Sequence, residues 1–563
     1  MDTQRIIALV VFVFSGTLLW EAWNKYNQPI IPAQSSIQTR EAGAPMPPAG
    51  NAATSVPTPS VPQSPVANPP SALPLTANPA STSKRVSVET DLLSVELDTL
   101  GGDIRKVTLL NHLARGDATK PFVLMQDKQE NYFIAQSGLL GQDLPSHLAV
   151  WTTQQDKYKL ESGDTLSVTL TFNGGSGLSI SKIFTFTRGS YVIDVRYTIK
   201  NESGTAISPS AYFQFLRDGN PPEGESAGNM FAGVVTFTGP AIYTDAKKFQ
   251  KVDFSTIDKG KQEHTKESTD GWIAMVQHYF VSAWLPQDKI KREYFTKKVS
   301  DKLYTSGVIV PMATIAAGAR ESISMPLYVG PQEQEKLKQL AGGLDLVVDY
   351  GWLTVLAYPM FAVLSWINKI TSNWGWTIII FTVLLKLVFF PLNQKAGKSM
   401  AHMKHLAPKV EALKARYGDD KLKMNQAMME LYKTEKINPL GGCLPILIQM
   451  PFLIAMYWVL LGAVELRNAP WLGWITDLST PDPFYVLPVI MGASMLIQTK
   501  LNPTPPDPVQ AKVMMLMPIV FSVMFFFFPA GLVLYWTMQN ILGIGQQWYI
   551  NKTTAHLAAP KTR

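Results

Sequence analysis

The chain has 563 residues, 46% of them apolar and only 17% charged, with a mean hydropathy of +0.05. A wholly soluble protein carries nearer a quarter charged residues, so part of this one is expected in lipid, and the length suits roughly three or four domains. A single cysteine, Cys443, excludes a disulfide framework and a multi-cysteine metal cluster; the histidines are scattered with no H-E-x-x-H pair, and at a net charge of +7 placement matters more than size.

Residues 1–23 contain an apolar run from Ile6 that ends Trp20-Glu21-Ala22-Trp23. A cleaved signal would end in small residues, whereas bulky aromatics suit an uncleaved membrane anchor. Residues 24–84 are rich in Pro, Ala and Ser and cannot bury enough apolar surface to offset backbone ordering, so they read as a linker.

From 85 to 330 the pattern turns to period two. Tyr191, Ile193, Val195, Tyr197 and Ile199 share one face, and Asp194, Arg196, Thr198 and Lys200 the other. Leu166–Phe172 and Leu178–Thr187 behave alike across the turn Asn173–Gly177, and further short runs occur at Ser94–Asp98, Ile104–Leu110, Ala211–Phe215, Val308–Val310 and Glu321–Val329. Many short strands over this length predict a large antiparallel β-sandwich.

The last third is lipid-like, with spans expected at Trp376–Leu392, Leu444–Val464, Phe484–Thr499, Val513–Phe528 and Ala530–Tyr549. Pro529-Ala530-Gly531 makes a tight hairpin between the last two. Gly351–Ile370 is also apolar enough to span. Residues 393–437, however, carry ten Lys/Arg against five Asp/Glu, and a span there would put that loop outside, against the positive-inside rule. Residues 331–372 are therefore read as a periplasmic connector with a helix lying on the outer interface, held by Trp352 and Trp366. Residues 373–392 then form the second span, 393–437 a cytoplasmic segment, 438–550 spans three to six, and 551–563 a short cytoplasmic tail. The result is a polytopic α-helical membrane protein of six spans, both ends inside, with a large periplasmic β-sandwich.

Within 393–437, Met403, Leu406, Val410, Leu413 and Tyr417 recur at heptad spacing, Gly418-Asp419-Asp420 breaks the helix, and Met424, Met428 and Leu431 continue the seam. This predicts an antiparallel helical hairpin whose basic exterior (Lys404, Lys409, Lys414, Arg416, Lys421 and Lys423) is either a solvated connector or a docking surface for something anionic, such as a ribosome or lipid headgroups.

Lys386 is the charge in the membrane. It lies ten residues from Trp376, about 15 Å deep at 1.5 Å per residue, where burial costs roughly 2.5–3.5 kcal/mol. Thr382, one turn earlier, shares its side, and Gln449, Gln539 and Asn540 are the other strongly polar groups within spans; together they can line a hydrated groove. The bland alternatives are snorkelling of Lys386 toward Leu392 and plain interhelical hydrogen bonding by Gln449. Methionines 514, 515, 517, 524 and 538 read as core filling or as a pliable apolar surface. Gly224-Glu-Ser226-Ala-Gly228 matches G-x-S-x-G but lacks the strand and helix that a nucleophile elbow needs, and reads as a surface loop. No G-x-x-x-x-G-K-[ST] is present, and neither nucleotide nor other cofactor is expected.

Several motifs together give the chain a family resemblance: Gly271–Pro286 (GWIAMVQHYFVSAWLP), Asp349–Trp352 (DYGW), Gly418-Asp419-Asp420, Asn438–Pro445 (NPLGGCLP) running into Gln449-Met450-Pro451, and Pro529–Tyr535 (PAGLVLY). The chain resembles the YidC membrane protein insertases in their long Gram-negative form, along nearly its whole length and least in the linker. The resemblance implies a periplasmic β-supersandwich, a five-helix conserved core and a hydrophilic groove open to the cytoplasm. It further implies a non-enzymatic insertase and chaperone of the inner membrane, acting on nascent membrane proteins alone or with the Sec translocon. Ribosomes and the signal recognition particle pathway are then the expected partners of the hairpin, with membrane lipids around the spans. Thr382, Gln449, Tyr535 and Trp536 match the family's groove and substrate-contacting positions. Where the family usually has arginine, this chain has Lys386, which keeps the charge and loses the bidentate fork. A membrane solute transporter is the alternative function, against which stands the lack of inverted repeats and paired broken helices.

Overall fold

The computed structural model describes residues 83–114, 117–128, 130–175, 177–222, 237–418, 420–435, 444–501 and 508–554. The anchor 1–23, nearly all of the linker, the Gly224–Gly228 loop, Asn438–Cys443 and the end of the tail lie outside the described residues.

Between Arg85 and Pro331 the described residues form one ten-stranded and one nine-stranded sheet. Pairing is antiparallel apart from Arg85–Glu89, which runs parallel to Lys157–Lys159, a small correction to the all-antiparallel expectation. The alternating segment is the middle of the second sheet. Val192–Asn201 lies between Leu178–Thr187 and Arg320–Pro331, with Tyr197 opposite both Lys182 and Ile323. Its inward residues Ile193, Val195, Tyr197 and Ile199 are fully buried, as period two requires. The sheets meet through aromatic side chains: Phe213 and Phe215 of one pack on Trp284 of the other, and Tyr197 meets Phe213 edge-on. Gly271 opens the strand Trp272–Val276 at φ +89°, where a Cβ would fall 1.8 Å from the Tyr243 carbonyl oxygen, so the turn admits only glycine.

Seven longer helices follow: α1 (Thr354–Thr371), α2 (Trp374–Tyr417), α3 (Lys421–Thr434), α4 (Leu444–Gly462), α5 (Val486–Leu501), α6 (Pro508–Phe525) and α7 (Ala530–Thr554). Helix α1 buries Ala357, Met360, Phe361, Leu364 and Ile367 on one face and leaves Val355, Trp366 and Ile370 exposed. It packs on α2 and α4, and α7 packs on α2 and α5. Gly351–Thr371 and Trp374–Gly397 are long and apolar enough to cross a membrane, while Leu447–Gly462, Val486–Leu501 and Lys512–Phe525 are shorter apolar helices.

One boundary differs from the expectation. The second span and the first arm of the hairpin are a single helix, running through Pro391 and Pro408 to Tyr417. Proline removes one backbone hydrogen bond, but both neighbouring turns keep theirs, so the helix runs on across the boundary that the sequence reading set between span and hairpin at Leu392.

Candidate functional site: a polar recess in the helical core

Asn373 starts α2 by accepting a hydrogen bond from the Trp376 amide through its side chain. Three turns later Lys386 reaches a small recess between α2, α4 and α7, where it stands with Gln449 and Gln539 over a floor of Phe389, Phe452 and Leu453. Lys386 is half-buried, and among the described residues its ammonium has no hydrogen-bond or ion-pair partner.

The surrounding amides form a chain along the helices. Gln449 Nε2 donates to Asn393 Oδ1 at 2.8 Å, tying α4 to α2. Gln539 Nε2 donates to the Tyr535 hydroxyl at 3.1 Å, and Gln546 Nε2 to the Phe390 carbonyl at 3.5 Å. Gly543 keeps the α7 side open: a Cβ there would lie 3.1 Å from Gln498 Nε2 and 3.7 Å from Lys386 Nζ. Deeper in, Asn540 Nδ2 donates to Ser494 Oγ at 3.2 Å.

The five groove residues expected from sequence therefore separate. Lys386 and Gln449 line the recess. Thr382 is fully buried and donates to the Ile378 carbonyl of its own helix at 2.6 Å, so its hydroxyl is already satisfied. Tyr535 is fully buried and connects to the recess through Gln539. Trp536 lies edge-on to Phe525 with ring centroids 4.2 Å apart, toward α6. Asn393, Gln498, Gly543 and Gln546 were not anticipated. Helical spacing carries the signal for three of them: Asn393 is seven residues after Lys386, and Gln539, Gly543 and Gln546 follow at four and three.

The end of α2 and α3 pack on each other across the turn after Tyr417. Leu406 is buried on the seam, with Val410, Leu413, Met424, Met428 and Leu431 half-buried along it. Asp420 caps α3 by accepting from the Lys423 amide at 3.1 Å, and that amide and the Lys423 ammonium hold its carboxyl below the ordinary range. Three of the six expected docking cations have described side chains. Lys409 pairs with Glu435, Lys423 with Asp420 at 3.2 Å, and Arg416 lies over the Tyr417 ring. Those of Lys404, Lys414 and Lys421 lie outside the description. Asp420→Ala is expected to weaken the α3 start by about 1 kcal/mol. Amide hydrogen exchange at 422–424 should then quicken roughly fivefold, with the rest of α3 little changed.

Residues 85–363 match the family model described as the YidC periplasmic domain, and residues 366–557 the one described as a 60Kd inner membrane protein. A curated relative from Aromatoleum aromaticum, named membrane protein insertase YidC, is 53% identical over 553 residues, covering 98% of both chains. One of the same name from Methylobacillus flagellatus is 50% identical over 567 residues, covering 100% of this chain and 99% of its own. Among solved structures, an active YidC insertase crystal structure with its first transmembrane domain resolved aligns at a TM-score of 0.39 and 18% identity, over 83% of this chain and 92% of that one. The curated relatives give no support to the solute-transporter alternative.

Proposed function

Because the chain belongs to the YidC family of membrane protein insertases, with a periplasmic β-domain and a helical inner-membrane core, we propose that it inserts nascent membrane proteins through the recess around Lys386. The observation that carries this reading is an ammonium without a partner among the described residues, half-buried among Phe389, Phe452 and Leu453 and flanked by amides. Such a charge costs roughly 2.5–3.5 kcal/mol to hold at membrane depth, and a function that uses it explains why it stays.

The polar or acidic flank of a client's apolar segment enters from the cytoplasm, where Lys386, Gln449 and Gln539 replace lost water hydrogen bonds. Thr382 and Tyr535 support this wall from behind, and Trp536 with the α6 methionines offers an apolar face to the segment. The segment then moves out to lipid along α4 and α6, gaining about 25 cal/mol per Å² of apolar surface leaving water. No nucleotide enters the cycle. Both termini lie in the cytoplasm in this reading, with six spans, α1 on the outer interface and the hairpin inside. There its remaining basic side chains meet ribosomes or the signal recognition particle pathway, and the Sec translocon joins for some clients.

The test is insertion of a short two-span substrate into liposomes that contain only this protein. Protease-protected fragments are expected well above those of empty liposomes. No protection above empty liposomes would overturn autonomous insertion and leave a chaperone that needs Sec.

A further inference from the structure

Helix α4 has the recess at one end and the β-domain at the other. Gln449, Phe452 and Leu453 form the recess wall near its start, and its last turn ends at Gly462 with carbonyls that no following helical amide can satisfy. Two side-chain contacts between the β-domain and this region hold that outer end, one reaching from each side. The first is His278, in the turn between the strands Trp272–Val276 and Phe280–Trp284, whose Nε2 lies 2.9 Å from the Leu461 carbonyl oxygen. A carbonyl only accepts, so this nitrogen carries the proton, and stacking on Tyr279 at 3.8 Å fixes the ring plane.

The second is Arg467, just past the short turn Val464–Leu466 that follows α4. Its guanidinium sits over three rings of the β-domain, 5.0 Å from the centroid of Phe122, 5.1 Å from Phe280 and 5.7 Å from Tyr279. It also donates to the Leu113 carbonyl. Phe122 and Phe280 are stacked at 4.2 Å, and His112 meets Phe280 edge-on at 5.4 Å, so the cage is itself rigid. Burial, with Arg467 and Lys336 adding to it, pushes His112 down to about 4, which keeps the cage free of a second positive charge at neutral pH. Tyr350 and Val348 of the connector close on Gly462 from the third side, at 3.8 and 3.9 Å from the position its Cβ would take. Planar cations over aromatic faces are directional contacts, and one held by three rings and a carbonyl fixes both position and angle.

We propose that Arg467 and His278 are positioning residues: through them the β-domain clamps the outer end of α4 and so sets the recess wall that α4 carries. The consequence for insertion rests on the recess reading above; the clamp does not. It gives the β-domain a mechanical part in the insertase without any contact with the client.

The experiment uses the full chain in nanodiscs, with Cys443→Ser as background and spin labels introduced pairwise. Ser179 on the β-domain with Ile454 on α4 reports docking, and Ile454 with Ile541 on α7 reports the width of the core beside the recess; all three positions are exposed. The parent is expected to give one narrow distance distribution for each pair. Arg467→Ala, and more so Arg467→Ala with His278→Ala, should at least double both widths while the β-sheet circular dichroism is retained. Arg467→Lys keeps a cation over the rings and should restore much of the narrowness. Unchanged widths in the folded double variant would overturn the clamp. Broadening of the Ser179–Ile454 pair alone would overturn the positioning of α4 and leave mere docking. A broadened Ile454–Ile541 pair with insertion at the parent rate would uphold the clamp and overturn the recess reading instead.

Discussion

Lys386→Ala is expected to slow insertion of a short two-span substrate with acidic outer segments at least tenfold, whereas Lys386→Arg keeps most of the rate. A tenfold loss needs only about 1.4 kcal/mol of lost stabilisation, less than the roughly 2.5–3.5 kcal/mol a charge of this kind costs at membrane depth. Alanine removes the one cation among the described residues that line the recess, and Gln449 and Gln539 cannot replace it, since a neutral amide donates hydrogen bonds but carries no charge. Arginine is also held by an apolar stem, keeps its charge and presents a wider fork. The measurement is the initial rate of protease-protected product in liposomes containing each variant at equal density. Insertion by alanine at the parent rate would demote Lys386 to a residue that merely reaches the headgroups, about 9 Å away along α2. A substrate with neutral flanks should feel the change much less, which separates charge recognition from damage to the core.

The second large effect lies in the β-domain. Lys182 is fully buried between the sheets, donating to the Gly101 carbonyl at 3.1 Å and the Ser137 carbonyl at 3.5 Å, with Phe184 and Tyr197 beside it. Asp103 is equally buried, 3.2 Å from Arg105 and accepting from Gln136 Nε2 at 2.8 Å, while Gln214 donates to Gln136 behind it. Burial pushes the Lys182 ammonium down to about 7, against the pull of the Asp103 carboxylate. Between pH 7 and about 10 the unfolded chain therefore holds a proton that the native state has released, and stability rises with pH across that window. Below pH 7 both states are protonated and the dependence flattens. The rise should amount to a few kcal/mol, and it should vanish in Lys182→Met, which is also expected to match or exceed the parent at neutral pH because it removes a charge from an apolar interior. Asp103→Ala acts in the opposite sense. It leaves Arg105 with Asp98 alone, at 3.7 Å, takes away the negative charge that favours the Lys182 ammonium, and should destabilise the domain by about 3 kcal/mol. Denaturant unfolding of the full chain in detergent, followed by β-sheet circular dichroism, measures both, with the difference between parent and Lys182→Met isolating this lysine from other titrating groups.

How much of this was legible in the sequence depends on how many faces each element buries. Leu178–Thr187 and Val192–Asn201 each have one wetter face, so alternation marked them almost to the residue. Trp272–Val276 and Phe280–Trp284 are buried on both faces, which erases period two and leaves short apolar runs without a phase. Lys182 itself was there to be read, as a lysine at an inward position of an alternating strand, but only the cage of carbonyls and rings explains its presence. In the core, Lys386 was conspicuous because a lone charge stands out against apolar neighbours, and Gln449 for the same reason. Gln498 was not, because its part depends on which helices face each other, and the composition of one helix does not hold that information. Thr382 shows the converse: right side of the right helix, yet its hydroxyl is taken by its own backbone.

The unbroken run of α2 has a mechanical meaning. Forty-four residues make a rod of roughly 66 Å, about twice the thickness of the hydrocarbon layer. Lys386 and the first basic arm are thus mounted on one lever, and a body that seats on the arm transmits torque as well as proximity. Pro408 deletes a backbone bond within the arm and Pro391 another five residues from Lys386, so a tilt that passes the first joint is taken up beside the recess.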